Sequence, residues 1–163
     1  MRLAVAIIAG LASPALAEQV ATVRPAKFQH SVDAGLCVAK DHLLSARKAG
    51  IDVAFVMARD GRTEMVIAPD AYSRSAILPQ LLDFTFEDSM TVRGSARLKN
   101  GRFLVELHDG VAETETPLWT ALRRHGHTVI SLPLRPDDRV GLDLTTMPGV
   151  FAQLQDCRKG LTQ

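Results

Sequence analysis

Met90-Thr91-Val92-Arg93-Gly94-Ser95-Ala96-Arg97-Leu98-Lys99-Asn100-Gly101-Arg102-Phe103-Leu104-Val105-Glu106-Leu107 is the stretch that decides the fold class. Met90, Val92, Gly94, Ala96 and Leu98 alternate with Thr91, Arg93, Ser95 and Arg97, the period of a half-buried strand. Lys99-Asn100-Gly101-Arg102 is then a tight turn, because Asn-Gly accepts the positive φ values that two-residue hairpin turns require. Phe103, Val105 and Leu107 return to the same core, with Glu106 and His108 expected outside. The sequence therefore predicts an antiparallel hairpin here, and the same grammar recurs on both sides of it.

Upstream, Ile51, Val53, Phe55 and Met57 alternate with Asp52, Ala54, Val56 and Ala58. Arg59-Asp60-Gly61-Arg62 turns the chain, Thr63 to Ala68 returns, and Pro69 stops the strand. Residues 71–83 show no clean period and read as a connection with one helical turn. Before the first hairpin, Leu36, Cys37 and Val38 suggest a short strand. Asp41 is placed to cap a brief helix through Leu43, Leu44 and Ala46, ended by Gly50. Residues 18–31 read as an extended arm that meets the body late.

Downstream, Thr116-Pro117-Leu118-Trp119-Thr120-Ala121-Leu122-Arg123-Arg124 predicts a capped short helix, with Leu118, Trp119 and Leu122 on one face and Gly126 past its end. Ile130, Leu132 and Leu134 form a strand, Arg135-Pro136-Asp137-Asp138 a polar turn, and Val140, Leu142 and Leu144 another strand. A last helix begins at Thr146, with Pro148 in its first turn and Val150, Phe151, Leu154 and Cys157 on one face. Arg158 and Lys159 suit the negative end of its dipole, and Gly160 is expected to supply a left-handed stop. The expected fold is mainly β, with β-sandwich-like antiparallel sheets of six or more strands. Two short helices stand in the C-terminal third, all in one domain over residues 18–163.

The first residues speak to compartment. Met1-Arg2 is a positive start, Leu3 to Leu11 is an uncharged apolar run, and Ala15-Leu16-Ala17 is a small-residue cleavage signature. This is the layout of a secretory signal over residues 1–17, with cleavage expected between Ala17 and Glu18. The run falls short of the ~20 apolar residues that span a bilayer, so no membrane span is expected. The mature chain is expected in a bacterial periplasm or secreted. Two cysteines in such a compartment predict one bridge, Cys37–Cys157. Closing so long a loop is worth roughly 4–5 kcal/mol in the chain-entropy picture.

Charge excludes more than it suggests. Without Arg2 the chain carries 18 Lys and Arg against 18 Asp and Glu, and no charge run rises above a mixed surface. Composition thus gives no hint of nucleic acid or an anionic membrane as a partner. Arg93, Arg97 and Arg102 form a basic outer face on the second hairpin, ordinarily a solvated one.

No catalytic constellation is legible. No G-x-S-x-G elbow occurs, cysteine chemistry conflicts with the bridge, and no phosphate loop or cofactor fingerprint is present. No cofactor is expected. His125-Gly126-His127 has the most metal-like spacing, with His108 and Asp109 as further ligands, but a zinc site needs three or four convergent groups. Two solvent-side histidines flanking a glycine stop is the plainer reading, so no metal site is assigned. Trp119, Phe151 and Phe103 read as core.

Leu118 to Gly126 (LWTALRRHG), then Val129 to Leu132, Val140 to Leu144, and Gly149-Val150-Phe151 with Leu154, resemble the tail of the invasion-associated locus B proteins. These are small exported proteins of alpha-proteobacteria. The resemblance covers the last third and the signal segment, and it implies an exported β-rich binding protein with no defined catalytic site. The function expected is a non-catalytic binding module of the bacterial envelope, its partner an envelope or host protein. The alternative is a metal-binding protein or hydrolase using His108, His125 and His127.

Overall fold

The computed structural model describes residues 23–70, 74–111, 115–133 and 139–161, with the backbone of 135–138. The signal segment 1–17 and its cleavage site lie outside the described residues. Among the described residues nine strands follow in chain order: β1 (Gln29–Asp33), β2 (Leu36–Leu44), β3 (Gly50–Met57), β4 (Arg62–Pro69), β5 (Gln80–Phe86), β6 (Thr91–Lys99), β7 (Arg102–Asp109), β8 (His127–Leu132) and β9 (Arg135–Asp143). Helix α1 (Pro117–Arg124) lies between β7 and β8, and α2 (Met147–Leu161) follows β9.

The mainly-β expectation, with both helices in the C-terminal third, holds. The strands, however, make one continuous antiparallel sheet rather than two, in the order β1-β2-β3-β4-β7-β6-β5-β8-β9. Most strands alternate buried and open residues, so one face of the sheet forms the core. The two ends of the sheet approach each other, because β2 also touches β9. The Ala46 amide donates to the Arg139 carbonyl at 2.8 Å, and the Ala26 amide to Asp143 Oδ2 at 3.4 Å. A sheet curled in this way buries one face against itself, as two packed sheets would.

Both predicted hairpins are present. In the second, Asn100 and Gly101 have φ of 49° and 75°, the positive pair that a two-residue turn needs. The first turns through Ala58–Gly61, where the Ala58 and Arg62 backbones pair at 2.9 Å and Gly61 has φ 92°. These turns lie at opposite ends of the neighbouring strands β4 and β7, since Arg62 pairs Asp109 while Ile67 pairs Phe103.

Five local expectations are corrected. The stretch from Asp41 to Ala46 is not a helix: β2 runs through Leu44 and pairs with β3 along its length. Ladder bonds and one buried face outweigh a weak helical signal. Asp41, read as a cap, instead accepts from the Lys27 amide at 2.9 Å and from Arg24 at 3.0 Å, tying down the N-terminal arm. That arm ends as strand β1. Residues 80–83 open β5 rather than finishing a connection, while 71–73 lie outside the described residues. The turn placed at residues 135–138 is already β9, with the register shifting between Ser131 and Leu132 so that the extra residues bulge out. Finally, α2 runs through Gly160 to Leu161, so Gly160 is not its stop.

The bridge is present. Cys37 and Cys157 form a disulfide with Cα atoms 6.0 Å apart and a sequence separation of 120. It fastens the last turns of α2 to the start of β2, where Cys37 is buried and Cys157 is partly buried. Val150, Phe151 and Leu154 pack into the core as the periodicity predicts. Among the described residues, no helix is long and apolar enough to cross a membrane.

Candidate functional site

The end of the sheet that carries the first hairpin turn also receives both helices, and a cleft of about 370 Å³ opens between them. Met57, Gly61 and Thr63 form its floor, His108 and Glu115 one wall, and Trp119 and Arg123 of α1 the second. The third wall is a stripe of α2: Pro148, Phe151, Ala152, Gln155 and Arg158. That volume lies in the range of small-ligand sites.

Local structure puts each group there. Thr116 caps α1: its hydroxyl accepts from the Trp119 amide at 3.1 Å and donates to the Leu107 carbonyl at 2.8 Å. The cap thus fixes both the start of α1 and its height above β7. Trp119 is nearly buried, its ring 4.4 Å from Phe151, whose own ring meets Phe55 edge-on at 5.4 Å. Phe28 completes this aromatic series at 5.5 Å from Phe55, so the N-terminal arm, the sheet, α2 and α1 are packed through one run of rings.

His108 was expected outside. A register shift moves it: Thr63 pairs His108 and Glu64 pairs Glu106, leaving Leu107 as an extra residue on β7. Such a bulge re-aims a side chain, and here it turns the imidazole into the cleft, 5.9 Å from the Trp119 ring. Its Nδ1 accepts from the Gly110 amide at 2.9 Å, which leaves Nε2 to carry the proton of the neutral ring.

The two arginines of the cleft differ. Arg123 is neutralised by Glu115 at 2.7 Å and lies 5.7 Å from the Trp119 ring centre. Arg158 is half-buried and makes no ion pair among the described residues. Its guanidinium passes so close over the first turn that a Cβ at Gly61 would stand 2.5 Å from Nη1. Glycine at position 61 therefore serves both the turn and the seat of Arg158. In the sequence Arg158 reads as a dipole partner at a helix end. The signal that marks it otherwise is the i, i+3, i+4, i+7 stripe Pro148, Phe151, Ala152, Gln155, beside the core stripe, which Arg158 extends by one turn.

The other residues singled out by sequence lie elsewhere. His125 and His127 flank Glu87, with Nδ1 atoms 3.6 and 3.7 Å from its oxygens, and the His125 ring rests 4.6 Å from Phe86. Glu87 accepts from the amides of Gly126 at 2.8 Å and His127 at 3.0 Å, and these N–H groups push its carboxyl down to about 2. His108 is not part of this group, and among the described residues no set of three or more His, Cys, Asp or Glu is arranged to hold a metal. Phe103 is core, as expected. Arg93 and Arg97 are paired, with Asp83 at 3.0 Å and Glu64 at 2.5 Å, so most of the basic face on the second hairpin is neutralised. Compared with protein-family models, with curated proteins and with solved structures, the chain finds no match.

Proposed function

We propose that the chain is an exported, non-catalytic binding module of the bacterial envelope, and that its cleft takes up an anionic group of the ligand. Arg158 carries this reading: a half-buried guanidinium in a cleft, without an ion-pair partner among the described residues, is a seat for a carboxylate or phosphate. Gln155 and His108 offer neutral donors beside it, and Trp119 and Phe151 an apolar wall. The positive start, apolar run and Ala15-Leu16-Ala17 support export to the periplasm, as does a disulfide that needs an oxidising compartment. The likeness of the last third to the invasion-associated locus B proteins points the same way.

The single tryptophan of the chain lines the cleft, so its fluorescence reports the site directly. Titration of the mature protein with inorganic phosphate, citrate and short peptides ending in a free carboxylate should shift Trp119 emission for at least one probe. Arg158→Gln should abolish that response with the fold intact. Emission indifferent to every probe, or a response that survives Arg158→Gln, would overturn the reading.

A further inference from the structure

At the opposite end of the sheet the chain presents an apolar point. The Ala76 amide donates to the Leu98 carbonyl at 3.1 Å, and Gln80 is the register partner of Ala96. Between them Ile77, Leu78 and Pro79 stand against one residue, Arg97, so these three must bulge away from the sheet. Ile77 is wholly exposed and Leu78 is 75% exposed.

The bulge is held, not loose. The Gly101 amide donates to the Arg74 carbonyl at 2.7 Å and the Asn100 amide to Ser75 Oγ at 2.9 Å, seating its base on the second hairpin turn. That seating gathers Arg74, Lys99 and Arg102, all exposed and without an ion pair among the described residues.

We propose that this tip is a peripheral docking point for an anionic lipid surface: Ile77 and Leu78 enter the headgroup boundary while Arg74, Lys99 and Arg102 meet the lipid phosphates. Charge complementarity and size select this occupant. The patch is convex, and two aliphatic side chains expose only on the order of 300 Å², well below the ~800 Å² per partner of a stable protein interface. A lipid interface needs no matching surface; a few apolar groups beside cations suffice for weak, reversible attachment. The tip and the cleft lie at opposite ends of β4 and β7, so a docked molecule keeps its cleft open to solvent.

The test is flotation of the mature protein with vesicles of mixed phosphatidylcholine and phosphatidylglycerol, against vesicles of phosphatidylcholine alone. Binding is expected to the anionic vesicles, weakened by salt. Leu78→Asp should reduce it about tenfold or more, and Lys99→Gln about fivefold. Both positions are exposed, and an unchanged melting temperature with an unchanged Trp119 response confirms that each variant is folded. No binding to anionic vesicles, equal binding to both vesicle types, or binding that Leu78→Asp leaves intact would overturn the proposal. So would envelope extract in which a protein, and not the lipid, is retained through Ile77 and Leu78.

Discussion

The two hairpin turns begin from nearly the same sequence grammar, Asp60-Gly61 in one and Asn100-Gly101 in the other, yet they do opposite work. The first is closed by its own side chains: Asp60 accepts from the Arg62 amide at 3.1 Å and from Arg62 Nε at 2.8 Å. It then serves as a floor over which α2 lays Arg158. The second leaves its amides free for others, and Arg74 and Ser75 settle on them. What a turn contributes beyond reversing the chain therefore depends on which element arrives at its back, and that element comes from a distant part of the sequence.

The largest expected effect comes from releasing α2 from the first turn. Cys37→Ser and Cys157→Ser should each cost up to roughly 4 kcal/mol, with the double variant little worse than either. Chemical denaturation with and without reductant measures this. Arg158 neighbours Cys157, so the same variants should disturb Trp119 emission while leaving the second turn intact. Stability indifferent to reductant would remove the disulfide as the fastener of the cleft.

Next come matched substitutions at the two turns. Gly61→Ala and Gly101→Ala both place a side chain at positive φ, and each should cost about 1–2 kcal/mol. Their functional readouts should differ. At position 61 the new Cβ must displace Arg158, so Trp119 emission and anion response change; at position 101 both stay as they were. Equal responses from the two variants would erase the distinction between the turns.

Smaller again are the hydrogen bonds that anchor what sits on each end. Thr116→Ala removes the α1 cap and should cost about 1 kcal/mol. Ser75→Ala removes one exposed acceptor of the Asn100 amide and should cost less, about 0.5 kcal/mol. Thermal melts rank the two, and a reversed ranking would show that the tip is held more firmly than α1.

The least effect touches neither turn. Glu87, ordinarily near 4.5, is held down to about 2 by the amides of Gly126 and His127. A depressed carboxyl stabilises the fold fully above its ordinary value, and that contribution drains away as pH falls toward 2. Glu87→Gln should therefore be less stable than the parent at neutral pH and converge with it near pH 2. A constant difference across that range would assign the effect to shape rather than charge.

Legibility followed the distance over which a signal acts. Alternation at Ile51–Met57 and Met90–Leu98, the Asn-Gly and Asp-Gly turns, and the Thr116-Pro117 cap are local, and each was plain. Strand β2 is not legible locally, because Asp41, Leu43 and Leu44 suit a short helix until β3 is beside them. The single sheet was hidden because the β4–β7 pairing joins residues some 40 positions apart that carry no mark of one another. The cleft needs two such unions besides the legible bridge: a bulge at Leu107 and an Arg158 laid over Gly61. Lys99 and Arg102 share a legible turn, but Arg74 comes from a stretch with no clean period, and only folding seats it beside them.

The reach of the Cys37–Cys157 bridge also sets a timetable for maturation. Two cysteines allow one pairing, so an oxidant alone completes the job and no shuffling of partners is required. A chain delivered amino end first, however, holds Cys37 as an exposed thiolate source until 120 further positions have arrived. Throughout that interval the Cys37 thiol is open to exchange with a foreign disulfide, which would leave it in a mixed disulfide and release the other sulfur as a thiol. Emergence of the final helix ends the vulnerability, and the moment Cys157 arrives becomes the moment the molecule is sealed.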